Sequence, residues 1–274
     1  TAENWQELLT VLTHEAELTS DPEEAVGFQF RIAELYERHL GDVERAVDLY
    51  REILSIQPEH APTLAALEGI KAGERAPLAA AGVLEPVYDA VGDWAKLISV
   101  LEVQVAHAED PFSKVELLHR IARLHEESLG QTEAAFDTYA RAVVVDSQNE
   151  DSLAALERLA TVLERWQSVA ELYDSELDKL STEPERLVEL GLRVAQQYEV
   201  QLEKVDTAIG RYQRVLTVEP DNQVAVRSLD RLFEQTQRWP ELAEILGKEA
   251  EIGESPEEIL EFKFRLGQVQ QNHI

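Results

Sequence analysis

The side chains in this 274-residue chain that could act on a substrate or hold a metal are seven histidines and 54 carboxylates. His119 and His125 lie close in sequence but six residues apart. Two ligands on one helix face need a spacing of three or four, so this pair does not offer two imidazoles to one ion. The sequence has no His-Glu-x-x-His pattern, no phosphate loop, no Gly-x-Ser-x-Gly elbow and no dinucleotide fingerprint. Carboxylates are too numerous for any acid–base pair to stand out, and no calcium-loop spacing occurs. Runs such as Asp21 to Glu24 and Glu257-Glu258 fall where helices begin, where the helix dipole favours acids. The expectation is no catalytic residue, no metal and no cofactor, hence no enzyme.

The aromatic residues point away from chemistry as well. Trp5, Trp94, Trp166 and Trp239 could form a ligand ladder, but each falls at the same place in a repeat, and a helix in a packed array must bury one face. Core packing is the reading for them and for Tyr50, Tyr139 and Tyr212. Net charge narrows the partners. Fifty-four acidic against 25 basic residues give −29, which favours solubility and repels nucleic acid and anionic lipid. Cysteine is absent, so there is no disulfide framework; cytosol and periplasm both stay open, with the cytoplasm favoured. No apolar run is long enough to insert in a membrane. The chain starts Thr1-Ala2 without any methionine, so its native N-terminus is expected to be missing.

Three independent markers expose the elements that carry these residues. The tryptophans are separated by 89, 72 and 73 residues, and arginines 31, 120, 193 and 265 by 89, 73 and 72. Asp21-Pro22, Asp110-Pro111, Glu183-Pro184 and Ser255-Pro256 drift in step with them. The unit is therefore about 73 residues long, and the first carries an insertion of about 16. Each unit reads as four helices. In the middle one, Leu97, Ile98, Leu101 and Val105 mark a helix from about Trp94 to His107. Asp110-Pro111 caps and starts the next, with Val115, Leu118, Ile121, Ala122 and Leu124, and Gly130 ends it. A third holds Ala135, Tyr139, Ala142 and Val143. Asn149 caps a fourth, with Leu153, Leu156 and Leu159. No segment alternates with a period of two.

The expected division is a single solenoid with units at about 21–93, 94–165 and 166–238 and an incomplete one at 239–274. A helix over 3–19 belongs to a preceding unit. The insertion predicts an extra short helix near 61–83, broken at Gly73 to Ala76. Ile259, Phe262, Leu266 and Val269 would form an open apolar stripe, as expected of a fragment cut through a repeat.

Ala33, Tyr36, Gly41-Asp42, Ala46, Tyr50 and Pro58 form a pattern that resembles the tetratricopeptide repeat. Ala122, His125, Gly130, Ala135 and Tyr139 repeat it without the proline; Ala195, Tyr198, Ala208, Tyr212 and Pro220 repeat it without the glycine. Degenerate motifs lie between, with Leu156, Leu163, Trp166 and Leu172, or Leu229, Phe233, Trp239 and Leu246. Two departures stand out. The first helix of each good motif is one residue longer than the family norm, and Glu157 and Asp230 occupy positions where the family has a small residue.

The resemblance implies an all-α, right-handed superhelical solenoid of antiparallel helix pairs with a concave groove lined by the first helix of each motif. The groove candidates are Glu34, Glu37 and Arg38; His119, Arg123, Glu126 and Glu127; Arg158; Gln196 and Glu199; and Arg227 and Arg231. The Lys/Asn set by which some members clamp a C-terminal carboxylate is missing at these positions. The expected function is a non-catalytic scaffold binding a protein or peptide, basic or of mixed charge. The alternatives are an assembly subunit that self-associates through open repeat ends, and the regulatory arm of a larger protein.

Overall fold

The structure, a computed structural model, describes residues 2–180 and 182–274. Among them are fifteen α-helices, three turns of π-helix and no strand. The fold is all-α, built of antiparallel helix pairs, as the helical spacing of the apolar residues requires. The chain forms two compact units, one up to Asp146 and one from Ser147.

The first unit contains α1 (Ala2–Leu18), α2 (Pro22–Leu35), α3 (Val43–Ile56), α4 (Ala61–Lys71), α5 (Pro77–Val91), α6 (Trp94–His107), α7 (Pro111–Arg123) and α8 (Thr132–Val145). The second contains α9 (Glu150–Leu163), α10 (Trp166–Lys179), α11 (Pro184–Gln196), α12 (Val205–Val218), α13 (Gln223–Gln235), α14 (Trp239–Ile252) and α15 (Pro256–Asn272). Within each unit a helix packs chiefly on its neighbours in the chain, the pattern by which a hairpin too small to bury its own stripe is stabilised by the next.

Local chemistry sets the helix starts. The Ser113 amide donates to Asp110 at 2.8 Å, the Ser152 amide to Asn149 at 2.9 Å and the Ala225 amide to Asn222 at 3.0 Å, each satisfying a donor the helix leaves unpaired. Proline opens α2, α7, α11 and α15, where its missing N–H costs nothing.

The corners follow a rule stronger than composition. Before α3, α8 and α12 the chain turns through a left-handed residue: Gly41, Gly130 and Glu203, with φ of 74°, 64° and 53°. Two residues before Trp94, Trp166 and Trp239 the same conformation recurs at Gly92, Glu164 and Gln237, with φ of 69°, 56° and 58°. Glycine enters this region freely; glutamate and glutamine do so at a cost of about 1 kcal/mol. The repeat imposes the turn whether or not glycine is there.

The extra residue in each good motif has a definite location. The first helices run on into π-turns at Tyr36–Leu40, Leu124–Ser128 and Gln197–Gln201. There the amide bonds reach back five residues, as from Leu129 to Leu124 and from Leu202 to Gln197, both at 3.1 Å. A single surplus residue is accommodated this way without ending the helix.

Paired small residues let the helices of a motif approach closely. Ala33 with Ala46, Ala122 with Ala135, and Ala195 with Ala208 are all fully buried. Tyr50, Tyr139 and Tyr212 are buried beside them. The four tryptophans differ from expectation, being half-buried. Trp5 stacks on His39 and Trp239 on His273, each pair with ring centroids 3.8 Å apart.

Candidate protein-binding surface

Two kinds of contact recur from motif to motif, and a third feature stands alone. In the first, a buried tyrosine on the second helix donates its hydroxyl to a glutamate on the π-turn of the first. Tyr50 donates to Glu37 at 2.8 Å and Tyr212 to Glu199 at 3.0 Å. Burial, joined by the carboxylates of Glu37 and Glu34, pushes the Tyr50 phenol well above its ordinary range. The Tyr212 phenol is pushed up to about 12, chiefly by burial and also by Glu199. Both hydroxyls therefore remain protonated donors at neutral pH, and each fixes one oxygen of its glutamate.

The groove candidates fall on these π-turns and on the helices leading to or facing them. On α2 and its π-turn, Glu34 is half-buried and pairs with Arg38 at 3.1 Å. On α7, the His119 ring meets Tyr139 edge-on at 5.4 Å, while Arg123 is exposed. Glu126 is half-buried and Glu127 exposed on the following π-turn. Arg158 is exposed on α9 and Gln196 on α11. Glu199 accepts from Tyr212 and also pairs with Arg231 of α13 at 2.5 Å. Arg227, one turn earlier on α13, is exposed and acts on the charge of Glu249. The structure thus joins Glu34 to Arg38 and Glu199 to Arg231, so two of the candidate cations are engaged by the chain's own acids.

The second recurring contact was not anticipated. Three of the four repeat-marking arginines reach back 35 or 36 residues to an acid on an earlier helix. Arg120 bonds Glu85 of α5. Arg193 faces Glu157 of α9 at 3.7 Å and bonds Glu150 at 2.8 Å. Arg265 makes a two-pronged bond with Asp230 of α13, at 2.7 and 2.9 Å. Glu157 and Asp230 are the two departures from the family pattern. They stand where a small residue is usual because each receives an arginine from the next first helix. The arginine spacing was visible in the sequence, and an acid lies 35 or 36 residues before each of these three marks.

Glu157 carries a further load. It accepts the hydroxyl of fully buried Tyr173 at 3.1 Å and the amide of Gln197 at 3.2 Å. Burial and the Glu157 charge push the Tyr173 phenol far above its ordinary range. In the insertion these duties are divided. Glu68 on α4 accepts the Tyr88 hydroxyl at 2.6 Å, and Glu85 on α5 takes Arg120. Burial raises both carboxyls, but the bonds from Lys71 and Tyr88 to Glu68, and from Gln104 and Arg120 to Glu85, outweigh it and hold both below the usual range.

The third feature is a buried acid on α14. Glu249 is 3% exposed, and its Oε2 has no hydrogen-bond partner. Burial and the neighbouring Asp230 push its carboxyl up to about 7, against the opposing pull of Arg265 and Arg227. Among the described residues no group of three or more His, Asp or Glu could hold a metal, and no helix is long and apolar enough to cross a membrane.

None of the curated proteins matches the chain. Similar solved structures include a human IFIT1 dimer with PPP-AAAA, 15% identical over 98% of this chain and 69% of that one, with a TM-score of 0.39. MamA is 18% identical over 61% of this chain and 92% of its own, with a TM-score of 0.37. A tetratricopeptide repeat protein from Parabacteroides merdae is 13% identical over 98% and 93%, with a TM-score of 0.31. The sequence family described as Tetratricopeptide repeat matches residues 28–60. That match spans α3 and most of α2 with its π-turn. α7–α8 and α11–α12 repeat the alanine pair, the tyrosine and the left-handed corner of the matched stretch, so the pattern of that tetratricopeptide repeat recurs along the chain.

Proposed function

We propose that this chain is a non-catalytic scaffold that binds a basic or mixed-charge segment of a protein partner along the first helices of its good motifs. Tetratricopeptide repeats in general serve protein–protein interaction; the surface and the partner's charge are our reading. The observation that supports it most is the glutamate at one register of the π-turn, Glu37, Glu126 and Glu199. A tyrosine hydroxyl pre-positions Glu37 and Glu199. A carboxylate fixed in advance loses little freedom when a lysine or arginine arrives. Arg38 is held by Glu34 and Arg231 by Glu199, so an incoming cation would exchange with Arg231 at Glu199 and meet Glu37 directly, on a chain whose net charge is −29. We take the unit of about 73 residues, divided near 94, 166 and 239, as the element that presents each such face.

Affinity capture of partners with the 274-residue protein tests this reading. Captured partners should be lost as ionic strength rises, since exposed charge pairs are screened. Charge reversal at Arg123, Arg158 and Arg231 should alter what is captured, and Glu37→Lys with Glu199→Lys should abolish it. Capture indifferent to salt and to all of these changes would overturn the proposal.

A further inference from the structure

The buried acid of α14 occupies a position that the second unit uses twice, and only one copy is satisfied. Glu176 and Glu249 each lie ten residues after a tryptophan, Trp166 and Trp239, and are 6% and 3% exposed. Lys179, three residues on, donates its ammonium to Glu176 at 2.7 Å. The residue three after Glu249 is Ile252, and Glu249 Oε2 has no hydrogen-bond partner. A carboxylate buried without a donor bears its full desolvation cost, so a donor that reaches it is favoured.

The surroundings of the two acids also correspond. A notch lies between α9 and α11 against the end of α10, and another between α13 and α15 against the end of α14. Leu153 and Leu190 line the earlier notch; their counterparts Val226 and Phe262 line the later one, joined by Ile252 and by Glu249 itself. Where the earlier notch has Arg186, the later has Glu258, so both cations of that place, Lys179 and Arg186, are replaced. Arg227 lines the later notch, but it is exposed and leaves Oε2 unbonded. α12 and α13 follow the earlier notch in the chain, and none of its lining residues belongs to them. A helix pair packed after α15 in the same manner would therefore leave the later notch open.

We propose that the notch between α13 and α15 takes a lysine side chain of a protein partner. Its methylenes lie against Val226, Ile252 and Phe262, and its ammonium donates to Glu249 Oε2, as Lys179 serves Glu176 from within the chain. Such a side chain buries its stem while its charged head finds an acid. Glu254 and Glu258 also line the notch and add the negative charge that draws a cation in. The inference rests on the basic segment proposed above and gives it one anchoring residue.

The probe is a fluorescently labelled, end-blocked peptide with one lysine between leucines. Its twin carries norleucine instead, which keeps the stem and drops the charge. At pH 8 the lysine peptide should bind saturably, at least about tenfold more tightly than the twin. Burial and Asp230 of α13 hold the Glu249 carboxyl at about 7, against Arg265 of α15 and Arg227 of α13. About one carboxyl in eleven is then charged at pH 6 and about ten in eleven at pH 8, so the lysine peptide should bind about tenfold more tightly at the higher pH. Glu249→Gln should remove both the preference for lysine and this pH dependence. Ile252→Lys places an ammonium where Lys179 stands in the earlier motif and should block the site while the acid stays in place. Circular dichroism of both variants should match the parent, and the comparison of the two peptides on the parent protein needs neither variant to fold. Equal binding of the two peptides, or lysine-dependent binding that persists in both variants, would overturn the proposal. If that happened while capture stayed sensitive to salt and to Glu37→Lys with Glu199→Lys, only the lysine site would fall. Lysine-dependent binding beside capture indifferent to those changes would remove the surface reading instead.

Discussion

Replacing Glu249 by glutamine should change how the second unit responds to pH. Glu249 is nearly inaccessible, and its carboxyl moves from an ordinary 4.5 to about 7. The cause is burial first, then the Asp230 carboxylate, with Arg265 and Arg227 pulling the other way. Between these two values the folded protein keeps the proton while the unfolded chain releases it. Stability is then highest below 4.5 on this account and falls as pH rises through the window, because the native state binds more protons there. At about 1.4 kcal/mol per pH unit, the loss approaches about 3 kcal/mol once pH exceeds 7. Glutamine has nearly the same shape and does not ionise, so Glu249→Gln should remove this component. Hydrogen exchange of the α13–α15 amides, corrected for intrinsic exchange rates, reads the local opening free energy. The parent protein should become markedly easier to open from about pH 5 to about pH 8, and the variant should change less by roughly 2–3 kcal/mol. Equal pH slopes in the two proteins would refute the reasoning. Asp230→Asn supplies a control on the cause: with the like charge gone, the transition attributed to Glu249 should move to lower pH.

Other expectations follow from single contacts. Glu203→Gly places glycine at a corner with φ of 53° and should stabilise the second unit by about 0.5–1 kcal/mol in urea titration. Glu157→Ala leaves the Tyr173 hydroxyl, the Gln197 amide and Arg193 short of an acceptor, and should cost about 2–4 kcal/mol; a cost below about 0.5 kcal/mol would mean that these contacts carry little stability. Trp166→Ala should cost about 2 kcal/mol, less than a fully buried tryptophan, because the residue keeps some exposure to solvent. An unchanged melting temperature would remove its packing role.

Much of the fold was legible because chemistry repeats with the period. Asp110, Asn149 and the four opening prolines marked helix starts by what their side chains can and cannot bond. Alanine and tyrosine at fixed spacing marked the close approach of paired helices. Two features were hidden for physical reasons. Glu203, Glu164 and Gln237 give no hint of a left-handed corner, since the turn there is enforced by packing on both sides rather than by local preference. The π-turns showed only as a surplus residue, because a helix that widens by one residue keeps its composition and its periodicity nearly intact. Of the surface candidates, the positions could be read but not their partners. Nothing in local sequence says that Arg231 will spend its charge on Glu199, 32 residues away. The tryptophans were expected deeper than they lie, since a large apolar ring at a regular interval reads the same whether it fills a core or shields its edge.

The division of labour between Glu68 and Glu85 bears on how such a chain can grow. Elsewhere one carboxylate, Glu157, answers both to a tyrosine and to an arginine, so lengthening the chain beside it would ordinarily strand one of them. Where a helix has been added, each obligation has its own acid. An arrangement like this tolerates extra length without exposing a debt of unmet polar groups, and the arms of the protein on either side of the added helix can diverge while each buried hydroxyl and guanidinium still finds an answer.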